Sequence, residues 1–433
     1  MESSGAIFAA RLTSSGGVLD PVGTRLSDII SPMSSTTGQP EPGGYYLPRV
    51  ATNGIDYFVV WHQPSSTQPK KVEVFGVRLS GSGAALGAPF RVMPMIDDGL
   101  RAPFVFFDGA NYVVFWDLDA VRVSTSGTVL DVPPIKVPVL FSAFASNGSS
   151  YLVAFEKSTS SQSGFADVYG LRFDKDLQPI DALPFPISTA NGDQRSASVA
   201  SDGADFFVVW DDERNAIGGK NTADIYGSRV TAAGKVLNPD GMPIALDTIG
   251  KQRSNRGPAI AYSPAAKRYL VAWERGGGSD GRIAYAAAEL RGVEIERTGT
   301  VRAPGSFQIV ATPYHPWSSP SIRPLDGAKM LVAYERLDTQ APYGSRRVHA
   351  KVVDLDPTAV VDAGVPADGG PDGGSVTLDA DAGADGGSGA KPGGSGDSSC
   401  GCRMAGARRE TFAAPFFVGL ALLVRRRRRN SRV

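Results

Sequence analysis

The sequence predicts an all-β fold, and three observations predict it. An apolar hexamer is written six times: DYFVVW (56–61), NYVVFW (111–116), SYLVAF (150–155), DFFVVW (205–210), RYLVAW (268–273) and KMLVAY (329–334). Asn-Gly or Asp-Gly stands a few residues ahead of the copy in ATNG, ASNG and ASDG. Behind it, across a variable loop, comes a segment that alternates apolar and polar residues and turns at Gly, as in VRLSGSGAAL, VRVSTSGTVL and SRVTAAGKVL.

Each element follows from these. The hexamers are β-branched and aromatic, too short for helices and bounded by turn residues, so they read as strands. Asn-Gly and Asp-Gly tolerate positive φ, which predicts a tight type I′ hairpin into each hexamer. The alternating segment gives a third strand, and its Gly turn leads to a fourth. The continuous apolar hexamer suits a strand covered on both faces. The closing aromatics (Trp61, Trp116, Phe155, Trp210, Trp273 and Tyr334) stand 55, 39, 55, 63 and 61 residues apart. A period of about 50 with four strands per unit is that of a propeller blade. The expected fold is a β-propeller of six or seven four-stranded blades over residues 1–356, with six full repeats over 45–356.

Residues 5–27 match only the third and fourth strands of a unit. They begin directly after Met1, and MESSGAIFAARL carries no basic segment followed by an apolar run. The expectation is a start further upstream, with an export signal and a complete seventh blade. In the other reading this half unit completes the last blade, which shows no clear fourth strand after VHAKVVDLDP.

Repeated residues are read as packing before chemistry. The four Trp at one position of successive units predict blade-to-blade contact rather than sugar platforms. The acid after the aromatic (Asp117, Glu156, Asp211, Glu274, Glu335) and the Arg of the third strand (Arg11, Arg78, Arg122, Arg172, Arg229) predict a cross-strand charge pair in each blade.

Composition excludes little more. Lys+Arg and Asp+Glu both total 44, so no global field favours nucleic acid. Three His and two Cys give a thin supply for metal or thiol chemistry. Nucleophile-elbow, zincin, P-loop and dinucleotide motifs are absent. No catalytic residue, cofactor or metal site is therefore expected. Binding is expected in the irregular loops, where Asp212 and Glu213 lie in DDERNAIGGKNTAD and Tyr314, His315 and Trp317 in ATPYHPWSSP.

After Pro357 the composition turns to Gly, Asp, Ala, Pro and Ser, which predicts a disordered linker over 357–399. The tail over 400–433 holds CGCR, an apolar helix expected over 411–424, and the run Arg425, Arg426, Arg427, Arg428 and Arg429. This order of linker, Cys-Gly-Cys, short apolar helix and Arg run resembles the MYXO-CTERM-type sorting tail of myxobacterial surface proteins. The repeats likewise resemble those of bacterial surface proteins with propeller-like units. The resemblance implies processing at Cys400 or Cys402 by a membrane protease, with the Arg run flanking the membrane. It implies a protein at the cell surface, in the outer membrane or secreted, given an upstream export signal, and one anchored on the cytoplasmic side without it. The implied partners are the membrane, the tail-processing protease and a surface carbohydrate or protein ligand. The functional expectation is a non-catalytic binding, adhesion or scaffold propeller, and the alternative is a secreted polysaccharide-active hydrolase.

Overall fold

In the computed structural model of the chain, the described residues are 5–13, 16–27, 48–65, 71–97, 102–140, 142–158, 165–216, 222–246, 253–277, 288–303, 305–314, 320–337, 346–355, 376–377 and 419–426. They form strands and turns, and no helix among them is long and apolar enough to cross a membrane.

Six sheets are four-stranded antiparallel meanders in chain order. The first contains β3 (Arg49–Thr52), β4 (Tyr57–Pro64), β5 (Lys71–Leu79) and β6 (Phe90–Asp97). The second contains β7 (Phe104–Phe107), β8 (Asn111–Trp116), β9 (Asp119–Ser124) and β10 (Ile135–Lys136). The third contains β11 (Ala143–Ser146), β12 (Tyr151–Ser158), β13 (Ala166–Phe173) and β14 (Phe185–Ser188). The fourth contains β15 (Gln194–Ser201), β16 (Phe206–Asp212), β17 (Asp224–Val230) and β18 (Met242–Ala245). The fifth contains β19 (Arg253–Ser263), β20 (Arg268–Gly277), β21 (Ala288–Glu296) and β22 (Phe307–Tyr314). The sixth contains β23 (Ser321–Pro324), β24 (Lys329–Leu337), β25 (Arg346–Asp354) and β26 (Val376–Thr377). A seventh sheet joins β1 (Gly5–Leu12) and β2 (Thr24–Arg25) to β27 (Gly419–Arg426), in the order β2-β1-β27. The fold is a β-propeller.

The pleat explains why the hexamers are apolar throughout. Alternate residues of a strand face opposite sides, and here both sides meet another blade. Phe58 and Val60 pack against Tyr112, Val114 and Trp116 of the next sheet. Val113 and Phe115 then meet Tyr151, Val153 and Phe155. The same interleaving joins the third sheet to the fourth, the fourth to the fifth and the fifth to the sixth. The four repeated Trp are at most 1% exposed, as blade packing requires.

The ring closes through the half unit. Ile7 and Ala9 pack against Tyr57, Val59 and Trp61 of the first sheet. Ala10 and Leu12, on the opposite face of β1, pack against Leu331 and Ala350 of the sixth. The half unit thus forms a seventh sheet of its own. It does not complete the last blade, because Val376–Thr377 supplies that blade's fourth strand.

Two expectations change in local detail. The Asn-Gly loops are longer than two-residue I′ turns. Asn53 Oδ1 accepts the N–H groups of Ile55 and Asp56 at 2.9 and 2.7 Å, and only Gly54 takes positive φ, at 89°. The same side-chain cap recurs at Asp108, Asn147 and Asp202. The amide or carboxylate oxygen satisfies two backbone donors and makes a wider loop stable.

The cross-strand charge pair is also replaced. The strand-three Arg binds an Asp nine residues on, in the connection to the fourth strand: Arg11–Asp20 at 2.8 Å, Arg122–Asp131 at 2.8 Å and Arg172–Asp181 at 2.6 Å. Each Asp also accepts the backbone N–H of its Arg. The position nine after Arg78 is Gly87, and Arg78 turns to Asp56 at 3.0 Å. The fifth sheet reverses the signs of that pair as Arg268–Glu294 at 2.7 Å. These guanidinium groups also reach the next blade, as with Arg78 to Ser126 O, Arg122 to Asp176 and Arg172 to Ala232 O. The acids that were expected to pair with them stand late in the second strands or, at Asp117, just after one.

In the tail, Cys400, Cys402, Arg427, Arg428 and Arg429 lie outside the described residues, as does the linker apart from β26. Of the helix expected over 411–424, residues 411–418 also lie outside them, and Gly419–Val424 run as strand in β27. That strand pairs along the whole of β1, from Gly5↔Arg426 to Leu12↔Gly419, with Arg425 opposite Ala6. A short apolar run carries no periodicity that separates strand from helix, and β1 offers it an open edge.

Candidate functional site in the axial channel

The innermost strands β3, β7, β11, β15, β19 and β23 enclose a cavity of about 580 Å³ on the propeller axis. Its size is that of a small-molecule pocket. Apolar stretches come from Val50, Phe104 and Phe144, and charge comes from Arg49, Glu156, Arg195 and Arg323.

Two of these strands are bent by matching bulges. In β15 the register with β16 shifts between Arg195 and Ser198, and in β19 that with β20 shifts between Arg256 and Ala259. The bulged residues Ser196 and Gly257 both take left-handed φ, at 55° and 60°. Bulges re-aim side chains, and here they turn backbone donors toward the acids of the preceding blade. Ala197 N–H donates to Glu156 Oε1 at 3.0 Å, and Ser142 Oγ donates to Glu156 Oε2. Asp211 accepts Ser196 Oγ at 3.3 Å and the Gly257 N–H. The repeated acid is therefore a latch between blades in these two places.

Asp211 is 4% exposed, and its Oδ1 has no hydrogen-bond partner. Burial pushes its carboxyl up to about 7, against the pull of Arg256 and its two donors and with a small push from Glu156. Arg195 pairs with Asp193, which raises its guanidinium, and Glu156 and Asp211 add to the effect. Arg256 pairs with Glu213 at 2.7 Å.

Arg49 and Arg323 differ. Both keep water-accessible surface while protein surrounds them, and this crowding lowers both guanidinium groups. Arg323 lowers Arg49 further, and Glu335 raises it.

The residues expected in binding loops are placed otherwise. Asp212 is fully buried in β16, accepting Trp210 Nε1 at 2.8 Å and two side-chain bonds from Arg214. Arg214 lies over the Tyr226 ring at 4.0 Å. Glu213 is held by Arg256. Tyr314 ends β22, opposite Ala288, and His315 and Trp317 lie outside the described residues. The structure brings together Arg49, Glu156, Arg195, Asp211 and Arg323, of which only Glu156 and Asp211 had been noticed, as repeat positions. The available signal was an Arg in the short segment ahead of a hexamer, as in LPRVATNG and SIRPLDG.

No protein-family model matches the chain, and no curated protein matches it. Solved structures do. The β-propeller domain of the Trilobed protease from Pyrococcus furiosus, described as having an open velcro topology, is 11% identical with a TM-score of 0.41, over 77% of this chain and 83% of that one. A polysaccharide lyase of family PL25, an ulvan lyase, is 11% identical with a TM-score of 0.44, over 70% and 79%. The tricorn protease is 10% identical with a TM-score of 0.40, over 83% of this chain and 38% of that one, so the chain spans under two fifths of it. At these identities and TM-scores the likenesses carry no chemistry to this chain.

Proposed function

We propose that this chain is a non-catalytic binding propeller at the cell surface or secreted, taking its ligand in the axial channel. In this reading Cys400 or Cys402 and the Arg425–Arg429 run act in sorting, with a tail-processing protease and the membrane as partners. One contrast supports the channel as the site. The acids of the irregular loops, Asp212 and Glu213, are already engaged by Arg214 and Arg256, whereas guanidinium groups that line the cavity remain open to water. The test is a screen of surface glycans and proteins against the folded chain, with protease shaving of intact cells to locate it. No binding to the folded propeller, or protection from shaving, would count against the reading.

A second reading is favoured by Asp211. Glu156 lines the cavity, and Asp211, buried behind the wall, holds its proton to about 7; glycoside hydrolysis uses two such carboxyl groups as acid and base. Turnover on a polysaccharide panel that disappears in both Asp211→Asn and Glu156→Gln would support a hydrolase. Turnover that survives both substitutions would remove these residues from it.

A further inference from the structure

We infer that Arg49 and Arg323 form a subsite for the carboxylate of a small acidic ligand, of the size of an acidic mono- or oligosaccharide. The inference rests on the binding reading and names its ligand chemistry. Arg49 Nη1 donates to its neighbour's carbonyl, Pro48 O, at 3.1 Å. Arg323 Nη1 does the same to Ile322 O at 2.8 Å. Among the described residues neither stands in an ion pair, and Glu335 bears on Arg49 only through space. Each guanidinium has five N–H donors, so most of both remain unused while facing the cavity.

Both line the same cavity, from inner strands on either side of the seventh sheet. Like charges brought together cost energy that an anion between them recovers. Guanidinium groups suit this because their planar forks match a carboxylate with two parallel bonds. Their place in the ring agrees. Arg49 lies on β3 and Arg323 on β23. Both side chains therefore stand on the inner strands that flank the seventh sheet. The Phe104 and Phe144 rings, 6.0 Å apart edge to face, give the same cavity an apolar surface. A molecule with a ring face and a carboxylate would use both. Outside the channel, the guanidinium groups of Arg11, Arg122 and Arg172 are occupied by their Asp partners and offer no such opening.

The experiment is calorimetric titration of the full chain with trigalacturonate, its neutral methyl ester and a sulfated disaccharide. It is repeated on Arg49→Ala, Arg323→Ala and the double variant, with thermal melts as a check of folding. The expected result is that trigalacturonate binds the parent chain, binds the ester weakly if at all, and loses roughly tenfold or more of its affinity in each single variant. Lys at either position should restore part of it as a point charge. Equal binding by the parent and the double variant would overturn the Arg subsite and leave channel binding standing. Ester and acid binding alike would do the same. Binding of the sulfated sugar alone would overturn the carboxylate assignment. Absence of binding by all three probes would overturn the inference, while the broad ligand screen would still decide the binding reading.

Discussion

The outer rim and the axial channel of this propeller both carry arginines, and they use them differently. On the rim, Arg11, Arg122 and Arg172 each meet an Asp nine residues on, through two or three side-chain bonds and one backbone bond. In the channel, Arg195 pairs with Asp193, whereas Arg49 and Arg323 each bond only to the carbonyl of the residue before them. Residues that repeat from blade to blade serve the contact between blades. Those that break the repeat are free to meet something else.

That comparison can be broken or sharpened by substitution. The largest effect belongs to the packing behind the rim. Trp210→Ala removes a fully buried indole and leaves Asp212 short of one donor, so it should cost about 3–5 kcal/mol in denaturant unfolding. Next comes the buried acid behind the channel wall. Asp211 holds its proton to about 7 when folded and ionises near 3.8 when unfolded. Between those values the folded state binds more protons, so the contribution of Asp211 to stability should be greatest below about pH 4 and fall until about pH 7. The loss should be on the order of 2–4 kcal/mol. Asp211→Asn should flatten this slope in melts across pH 4–8, and a slope unchanged in the variant would show that another group causes it.

Gly227→Ala should cost about 1–3 kcal/mol by overpacking, because an added Cβ would lie 2.6 Å from Ile244, 2.7 Å from Phe207 and 3.0 Å from Val208 O. Arg172→Ala should cost about 1 kcal/mol, for it holds Asp181 and bridges to Ala232 O. The smallest effect is the most telling. Arg49→Ala and Arg323→Ala should leave unfolding within about 0.5 kcal/mol of the parent chain. A cost as large as that of Arg172→Ala would make the channel arginines structural and erase the contrast.

Sequence carried the blades and missed the channel, for physical reasons. Burial of the hexamers on both faces leaves a continuous apolar run, visible without any partner. The Arg-Asp spacing of nine was also present three times, but the acid after the aromatic lay closer and drew the pairing to itself. Glu156 and Asp211 were visible as repeats, yet their donors come from bulges at Ala197 and Gly257 of the following blade, which no local pattern announces. Arg49 and Arg323 lie some 270 residues apart in short inner strands. Only ring closure brings them together. The loops that looked irregular drew attention instead, although Asp212 is spent on Trp210 and Arg214.

The half unit at the start of the ring also sets a timetable. Ala10 and Leu12 find their apolar partners at Leu331 and Ala350. At a synthesis rate of about 5–20 residues per second, the first strand waits roughly 15–60 s for the last blade to exist. Until then Ala10 and Leu12 lack those partners. Contacts so distant in sequence are slow to form, and docking of the sixth blade and of β27 onto β1 should set the pace at which newly made chains become resistant to protease.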